Sequence, residues 1–528
     1  MSLTGKQLIG GNFSATGPTT FFAKNPATGK QLECAFHEGT SEDVDGAAKL
    51  SEECFDAYRN TPPQKRSDFL VSIANEIMAL GDDLIQRARA ETGLPEARLV
   101  GERGRTVNQM KLFAEVVLEG SYVDARIDQG NPDRAPLPKP DVRSMKIPLG
   151  PTAIFGASNF PLAFSVAGGD TASALASGCP VIVKGHPAHP GTSEMVGSAI
   201  QQAAAKCGMP AGVFALIQGS GVTVGTALAK HPLIKAIGFT GSLQGGKALY
   251  DIAAVRPEPI PVYAEMGSTN PVFILPQALQ NEAAALAKAY VDSATLGVGQ
   301  FCTNPGLLLG LRSAEFDGFI QEASAHLSQK PAGVMLHAGI KSAFESGIEK
   351  LTSQSAIEKI NSGDAGSGEC EAAAVLLKTS AANFINNRHL EEEVFGPSSL
   401  VIECETKEDM LNIARNLTGH LTATVHGSEA ELLENQELIQ ILEKKVGRVL
   451  FNGFPTGVEV CHAMFHGGPY PATTDSRTTS VGTAAIQRFL RPVSYQNFPQ
   501  KMLPAALQNE NTINIWRMVD GQMTRDSI

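Results

Sequence analysis

No two of the eight cysteines, at positions 34, 54, 179, 207, 302, 370, 404 and 461, stand close enough to make a C-x-x-C pair. That removes zinc-ribbon spacing and dithiol redox motifs, and no metal site is visible in the spacing of ligand residues. Positive charge is also in deficit: 43 Lys+Arg against 54 Asp+Glu leave a net charge of -11. No basic stripe stands out, so nucleic acid and anionic membrane surfaces are not expected partners. An anionic group on a ligand must then be caught by local cations rather than by the overall field. No apolar run reaches the length that spans a bilayer, and 1–19 lacks the apolar stretch of a secretory signal. Internal repeats are absent. Together these features predict a reduced, soluble, cytoplasmic chain.

What is present is ordinary globular material. The chain has 528 residues, too many for one hydrophobic core, so two or three domains are expected. Hydrophobic residues make up 43% and charged residues 18%, which excludes a disordered chain. The 52 Gly and 31 Pro are scattered, as suits many short turns between alternating elements.

Residues 41–120 read as helical. The segment 43–57 is rich in Ala and Glu, and 67–92 places Phe69, Leu70, Ile73, Ile77, Leu80 and Leu84 at helical spacing. A third helical stretch covers 97–118. Pro132, Pro136, Pro138 and Pro140 then forbid a regular helix. After them 142–147 alternates apolar and polar, the pattern of a strand with one solvated face. From 151 to 264 short apolar runs (152–155, 180–184, 213–218, 234–240, 261–264) alternate with Ala- and Gly-rich helical stretches, which predicts an α/β fold with a parallel sheet. Ligands bind such sheets at the strands' carboxyl ends, here Asn159, Lys184, Gly219 and Gly241. A second set of elements follows, with a helix over 283–295, a strand over 306–311 and a helix over 316–327. The tail from 488 reads as another short strand, a possible partner of 142–147.

Five segments can carry chemistry. Phe239-Thr240-Gly241-Ser242 with Gly245-Gly246 ends a strand and opens a helix, where backbone N–H groups can receive a phosphate. Gly219-Ser220-Gly221 with Gly225 forms a second glycine-rich turn, off the usual dinucleotide spacing. Lys184 at a strand end can donate to a ribose or a phosphate. Glu265 follows an apolar strand, where burial raises a carboxyl toward the range of a general base. Cys302 sits in Gly297-Val298-Gly299-Gln300-Phe301-Cys302-Thr303-Asn304-Pro305, a loop suited to a nucleophile whose thiolate must be generated locally. Taken singly, each has an ordinary structural explanation.

Their order and spacing are not ordinary. Ser158-Asn159-Phe160-Pro161, Lys184, Phe239-Thr240-Gly241-Ser242, Glu265-Met266-Gly267, Gly299-Gln300-Phe301-Cys302 and Glu392-Glu393-Val394-Phe395-Gly396-Pro397 resemble the aldehyde dehydrogenase superfamily, from about residue 20 to about 500. The resemblance implies a Rossmann-like cofactor domain (1–125 and 149–264), an α/β catalytic domain (265–480), and a small oligomerisation arm and tail (126–148 and 481–528). It implies NADP or NAD as cofactor, a small-molecule aldehyde as substrate, and a homodimer or homotetramer. Cys302 resembles the nucleophile, Asn159 an oxyanion donor and Glu265 the base that activates water. Lys184, Gly225, Gly241, Ser242, Gly246, Glu393 and Phe395 resemble the cofactor contacts.

Two departures carry information. Where relatives that prefer NAD have a Glu three residues after the lysine, this chain has Pro187, which removes repulsion toward a 2′-phosphate; His186 and His189 are nearby donors. Where an aromatic residue often precedes two glycines, this chain has His466. With 101–109, 264–271 and 488–497, the pattern resembles the 2-oxoglutarate semialdehyde (2,5-dioxovalerate) dehydrogenase subgroup. Such a substrate carries a carboxylate, for which Arg103 and Arg105 are the candidate cations, with His466 beside the substrate. The same chemistry on a succinic or fatty aldehyde, a CoA-acylating reaction, or an inactive scaffold of the same fold are the rival readings.

Overall fold

The structure is a computed structural model that describes residues 2–280 and 282–528. Four helices open it: Ser41–Arg59, Pro63–Ala79, Gly81–Thr92 and Glu96–Glu119. Thr40 and Asp43 cap the first reciprocally, side chain to backbone in both directions. The periodicity over 67–92 reads as one helix, but the chain breaks at Leu80, and Gly81 takes φ +58. The apolar spacing continues across the break because Phe69, Ile73, Ile77 and Leu84 all face one core. Glycine at a left-handed position marks the break.

The first sheet has seven strands. Five are parallel, in the spatial order Val262–Glu265, Ala236–Thr240, Thr152–Phe155, Val181–Lys184 and Phe214–Ile217. An N-terminal hairpin, Gln7–Ile9 with Asn12–Ser14, adds an antiparallel edge that hydrophobic patterning does not announce. Alternate side chains go to opposite faces: Val181, Val183, Phe214 and Leu216 into one core, Ile182, Ala215 and Ile217 into the other. Both faces are covered by helices, so these strands are apolar throughout. Each fully buried Val, Ile or Leu contributes about 1.5–3 kcal/mol.

A second seven-stranded sheet repeats the logic. Its order is Glu358–Ser362, Val375–Ser380, Ser398–Cys404, Leu307–Leu311, Val272–Ile274, His420–His426 and Val446–Phe451, antiparallel only at the first pair. Phe273, Leu309 and Val425 face one core, Val272, Leu308 and Val401 the other. The helices Ala283–Thr295 and Ala314–Ser328 flank the strand Leu307–Leu311 in sequence, as the pattern predicts.

The strand Val142–Pro148 pairs antiparallel with Leu490–Gln496 along seven residues, from Val142↔Gln496 to Pro148↔Leu490. Arg126–Asp128, Arg517–Val519 and Gln522–Thr524 extend this third sheet to five strands. Among the described residues, no helix is long and apolar enough to cross a membrane. The first sheet meets the segment 466–480 at its edge: Glu265 bridges Thr473, and the Met266 N–H donates to Ala472 O at 2.8 Å. That junction, facing the loop that enters Leu307–Leu311, holds the site.

Candidate active site

Three side chains from distant parts of the chain converge. Cys302 Sγ lies 3.5 Å from His466 Nε2, and the same nitrogen lies 2.8 Å from Glu265 Oε1. Ser480 Oγ donates to the other carboxylate oxygen, Oε2. Glu265 ends its strand in register with Thr240 and is 1% exposed; His466 is 0% exposed. The backbone of His466 is fixed by Thr479, whose Oγ1 accepts from its N–H at 2.8 Å. His466 Nδ1 is buried and has no hydrogen-bond partner among the described residues.

The loop that carries Cys302 is held in an unusual conformation. After the short helical turn Leu296–Gly299, with φ +57, +60 and +63 at Gly297, Val298 and Gly299, the chain turns back at Phe301–Thr303. A β-branched residue in this region costs on the order of 1–3 kcal/mol, so Val298 marks strain beside the nucleophile. A side chain at Gly299 would meet the carbonyl of Gly396. Asn270, itself left-handed at φ +47, donates from Nδ2 to the carbonyls of Cys302 and Asn304, both at 2.9 Å. Asn159 donates to Gln300 O at 3.1 Å, which puts its amide against the Cys302 loop.

The electrostatics correct one expectation. Burial does push Glu265 up, but the charge and hydrogen bond of His466, the Ser480 hydroxyl and Arg488 outweigh it, and the carboxyl is held at about 2. Glu265 is therefore an ionised partner of the imidazole rather than a carboxyl raised toward neutrality by burial. The Cys302 thiol goes the other way. Burial, then Glu265 and Glu393, push it well above its usual range, and Arg105 opposes them. The thiol rests protonated with an imidazole nitrogen in reach.

The two candidate arginines separate by helix phase. On Glu96–Glu119, Arg98, Glu102 and Arg105 share a face at i, i+4 and i+7. Glu102 accepts from the N–H groups of Leu162 and Ala163, and Arg98 donates to Asn159 O at 2.7 Å while lying over Phe160 and Phe301. Arg105 lies over Phe164, 4.9 Å from its centroid, and that ring is 6.4 Å from His466. Its Nε and Nη2 are buried without a hydrogen-bond partner among the described residues. Arg103 points away and donates to Gly81 O at 2.6 Å, so the structure gives it a role in joining two helices and takes it out of the site. Arg448 donates from Nη1 and Nη2 to the carbonyls of Gly457 and Pro455, has a buried Nε without a partner among the described residues, and feels the Cys302 charge. Residue type alone signals neither Arg98, Ser480 nor Arg448; only folding brings them to the site.

The residues that resemble cofactor contacts lie at carboxyl ends of strands of the first sheet, on the helices that follow them, and in the segment 392–397 before the strand Ser398–Cys404. Lys184 ends its strand, and burial lowers its ammonium to about 8 against the pull of Glu38. Pro187 follows His186, whose ring stacks on His189 at 5.4 Å. Ser242 caps the helix Leu243–Ala254, accepting from the Gly245 N–H at 3.2 Å, and the Gly241 N–H donates to Glu265 O at 3.0 Å. Gly246 packs on Met266 and Gly225 on Phe155. Glu393 and Phe395 line a cavity with Gly299, Asn304 and Gly396. Desolvation raises Glu393 to about 7, against a hydrogen bond from the Ser268 backbone. A Cβ at Gly267 would run into its carboxylate. An under-paired ammonium, an under-paired carboxyl and glycines where side chains would intrude form a cradle that fits a dinucleotide with ribose hydroxyls and phosphates.

Residues 13–485 match the Aldehyde dehydrogenase family. The chain is 52% identical over 523 residues to "Alpha-ketoglutaric semialdehyde dehydrogenase 2" of Azospirillum brasilense, covering 99% of this chain and 100% of that one. It is 46% identical to "Alpha-ketoglutaric semialdehyde dehydrogenase" of Acinetobacter baylyi, covering 99% of both. Among solved structures, 3,6-anhydro-L-galactose dehydrogenase in complex with NAP superposes with a TM-score of 0.80 at 20% identity, covering 93% of this chain and 99% of that one, a likeness of fold. The chain belongs to the aldehyde dehydrogenase family.

Proposed function

We propose that this enzyme oxidises 2-oxoglutarate semialdehyde to 2-oxoglutarate with NADP or NAD, through a thioester on Cys302. The observation that carries the chemistry is the convergence of Cys302 Sγ, His466 Nε2 and Glu265 Oε1, with separations of 3.5 and 2.8 Å about the nitrogen. Substrate choice is supported by the names of the two relatives at 52% and 46% identity and by the unpaired Arg105.

In this mechanism the Cys302 sulfur attacks the aldehyde carbon as its proton passes to the ionised Glu265 carboxylate and from there to solvent, while His466 Nε2–H and the Ser480 hydroxyl hold that carboxylate in place. The Asn159 amide and the Cys302 backbone N–H stabilise the oxyanion, each such donor contributing about 3–4 kcal/mol to the barrier reduction. When bound, NAD(P) would supply the hydride acceptor for this oxidation. Glu265, ionised and held by His466 and Ser480, then takes a proton from the water that hydrolyses the thioester. Lys184, Ser242 and Glu393 hold the cofactor's ribose and phosphate groups. Arg105 takes the distal carboxylate; a buried guanidinium whose Nε and Nη2 have no partner among the described residues is costly until an anion arrives.

Pro187 itself brings no carboxylate to the adenosine ribose side, where Glu38 is held by Ser220, so NADP is accepted as well as NAD. The enzyme is cytoplasmic and works as a homodimer or homotetramer. The three sheets support the division into a cofactor domain (1–125 and 149–264), a catalytic domain (265–480) and an arm with tail (126–148 and 481–528). The test is steady-state formation of reduced cofactor with 2-oxoglutarate semialdehyde, succinic semialdehyde and a long-chain aldehyde, each with NAD and NADP. A kcat/KM preference for the 2-oxo acid semialdehyde is expected. Equal or better rates on the long-chain aldehyde overturn the substrate, and no turnover with any overturns the reaction.

A further inference from the structure

The Cys302–His466–Glu265 cluster is also a ligand set. One sulfur, one imidazole nitrogen and one carboxylate oxygen all lie within 4.8 Å of one another. Zinc takes these donors at about 2.3, 2.0–2.1 and 2.0–2.2 Å, which places neighbouring donors of a tetrahedral site roughly 3–4 Å apart. The separations of 3.5 Å and 2.8 Å therefore need shifts of under about 1 Å to close on an ion. Two of the donors are already held, Glu265 by Ser480 and His466 by Thr479. Cys302 is only partly buried, so the fourth position faces the cleft. A thiolate and a carboxylate match the charge of a divalent ion. Three protein donors with one open position are the arrangement of exchangeable rather than closed zinc sites.

We propose that this cluster is a reversible inhibitory site for a thiophilic divalent cation of the Zn2+ class, which silences the enzyme by occupying its nucleophile. On binding, the Cys302 S–H bond breaks, a sulfur–metal bond forms and the proton leaves to solvent, with no change of oxidation state. Among the described residues His466 Nδ1 has no outer hydrogen-bond partner. Zinc-bound histidines normally have one, and its loss typically weakens binding 10–100-fold. The ion is accordingly released to a chelator.

The test uses the full-length, EDTA-treated enzyme and Zn2+ alone, with affinity read by competition against a fluorescent zinc chelator. One equivalent should bind per chain, protect Cys302 from iodoacetamide and abolish turnover until EDTA is added. Co2+ in place of Zn2+ should show a thiolate-to-metal charge-transfer band. His466→Ala and Glu265→Gln, each checked for folding by Tm and for cofactor binding, should weaken binding by at least about 100-fold, beyond the loss of an outer partner. His420→Gln, in another buried His–Glu pair, should not. Unchanged affinity in both cluster variants, or binding without protection of Cys302, overturns the proposal. Because affinity is read without substrate, that failure leaves the dehydrogenase reading intact.

Discussion

Glu391 and Glu393 stand two residues apart and titrate in opposite directions. Burial pushes Glu391 up, but His420 and the Thr418 hydroxyl and N–H more than compensate, and its carboxyl is lowered. One oxygen of Glu391 receives all three donors, His420 Nε2 at 3.1 Å among them, and His420 Nδ1 lies 3.4 Å from Thr269 Oγ1. Glu393 lines the cavity with a backbone hydrogen bond from Ser268, and desolvation carries it up to about 7. At the Glu391 carboxylate the donors all come from within the chain. In the cleft, His466 Nδ1 and the Arg105 Nε and Nη2 have no partner among the described residues.

The sharpest way to break this comparison is to exchange the two histidines' roles. His466→Gln should lower kcat/KM about 10²–10⁴-fold with little change in Tm. His420→Gln should leave kcat/KM nearly unchanged and cost about 1–3 kcal/mol of stability in denaturant titration. Equal effects on both observables would erase the distinction. The arginines come next. Arg105→Met should lower kcat/KM for a carboxylate-bearing aldehyde about 10–100-fold, the loss of a charged hydrogen bond of about 1.5–3 kcal/mol, and spare an uncharged aldehyde. Arg103→Met should change stability only. A smaller effect is expected from Pro187→Glu, which places a carboxylate near the adenosine ribose and should raise the NAD/NADP ratio of kcat/KM severalfold; an unchanged ratio would remove Pro187 from cofactor choice.

The finest discrimination is by pH. Glu393 is raised from 4.5 in the folded state, so the fold binds a proton that the unfolded chain has lost. Its contribution therefore falls as pH rises from 4.5 through about 7, and Glu393→Gln should flatten that limb of the Tm–pH curve. Glu391 is lowered, so its contribution is present above 4.5 and is lost as pH falls below it. Glu391→Gln should flatten the acid limb instead.

Much of this molecule was legible without coordinates. Strands buried on both faces announce themselves as short apolar runs, and Val142–Pro148 with Leu490–Gln496 carried enough alternation to be paired. What escaped was whatever depends on phase or on distance along the chain. Helical phase separates Arg105 from Arg103, and residue type does not. Gly81 breaks a helix whose apolar spacing runs on regardless. Nothing local to His466 says that Glu265, 201 residues earlier, will meet it, or that the meeting will reverse the expected direction of the Glu265 titration.

Gly299 and Gly396 touch with no side chain between them, and Asn304 adds a hydrogen bond to the same Gly396 carbonyl at 3.3 Å. The loop bearing the nucleophile and the loop bearing Glu393 are thereby geared together. Displacement of one cannot be absorbed by a compressible layer, because none exists, so it arrives at the other as motion. Whatever settles against Glu393 therefore bears on the loop that carries the sulfur.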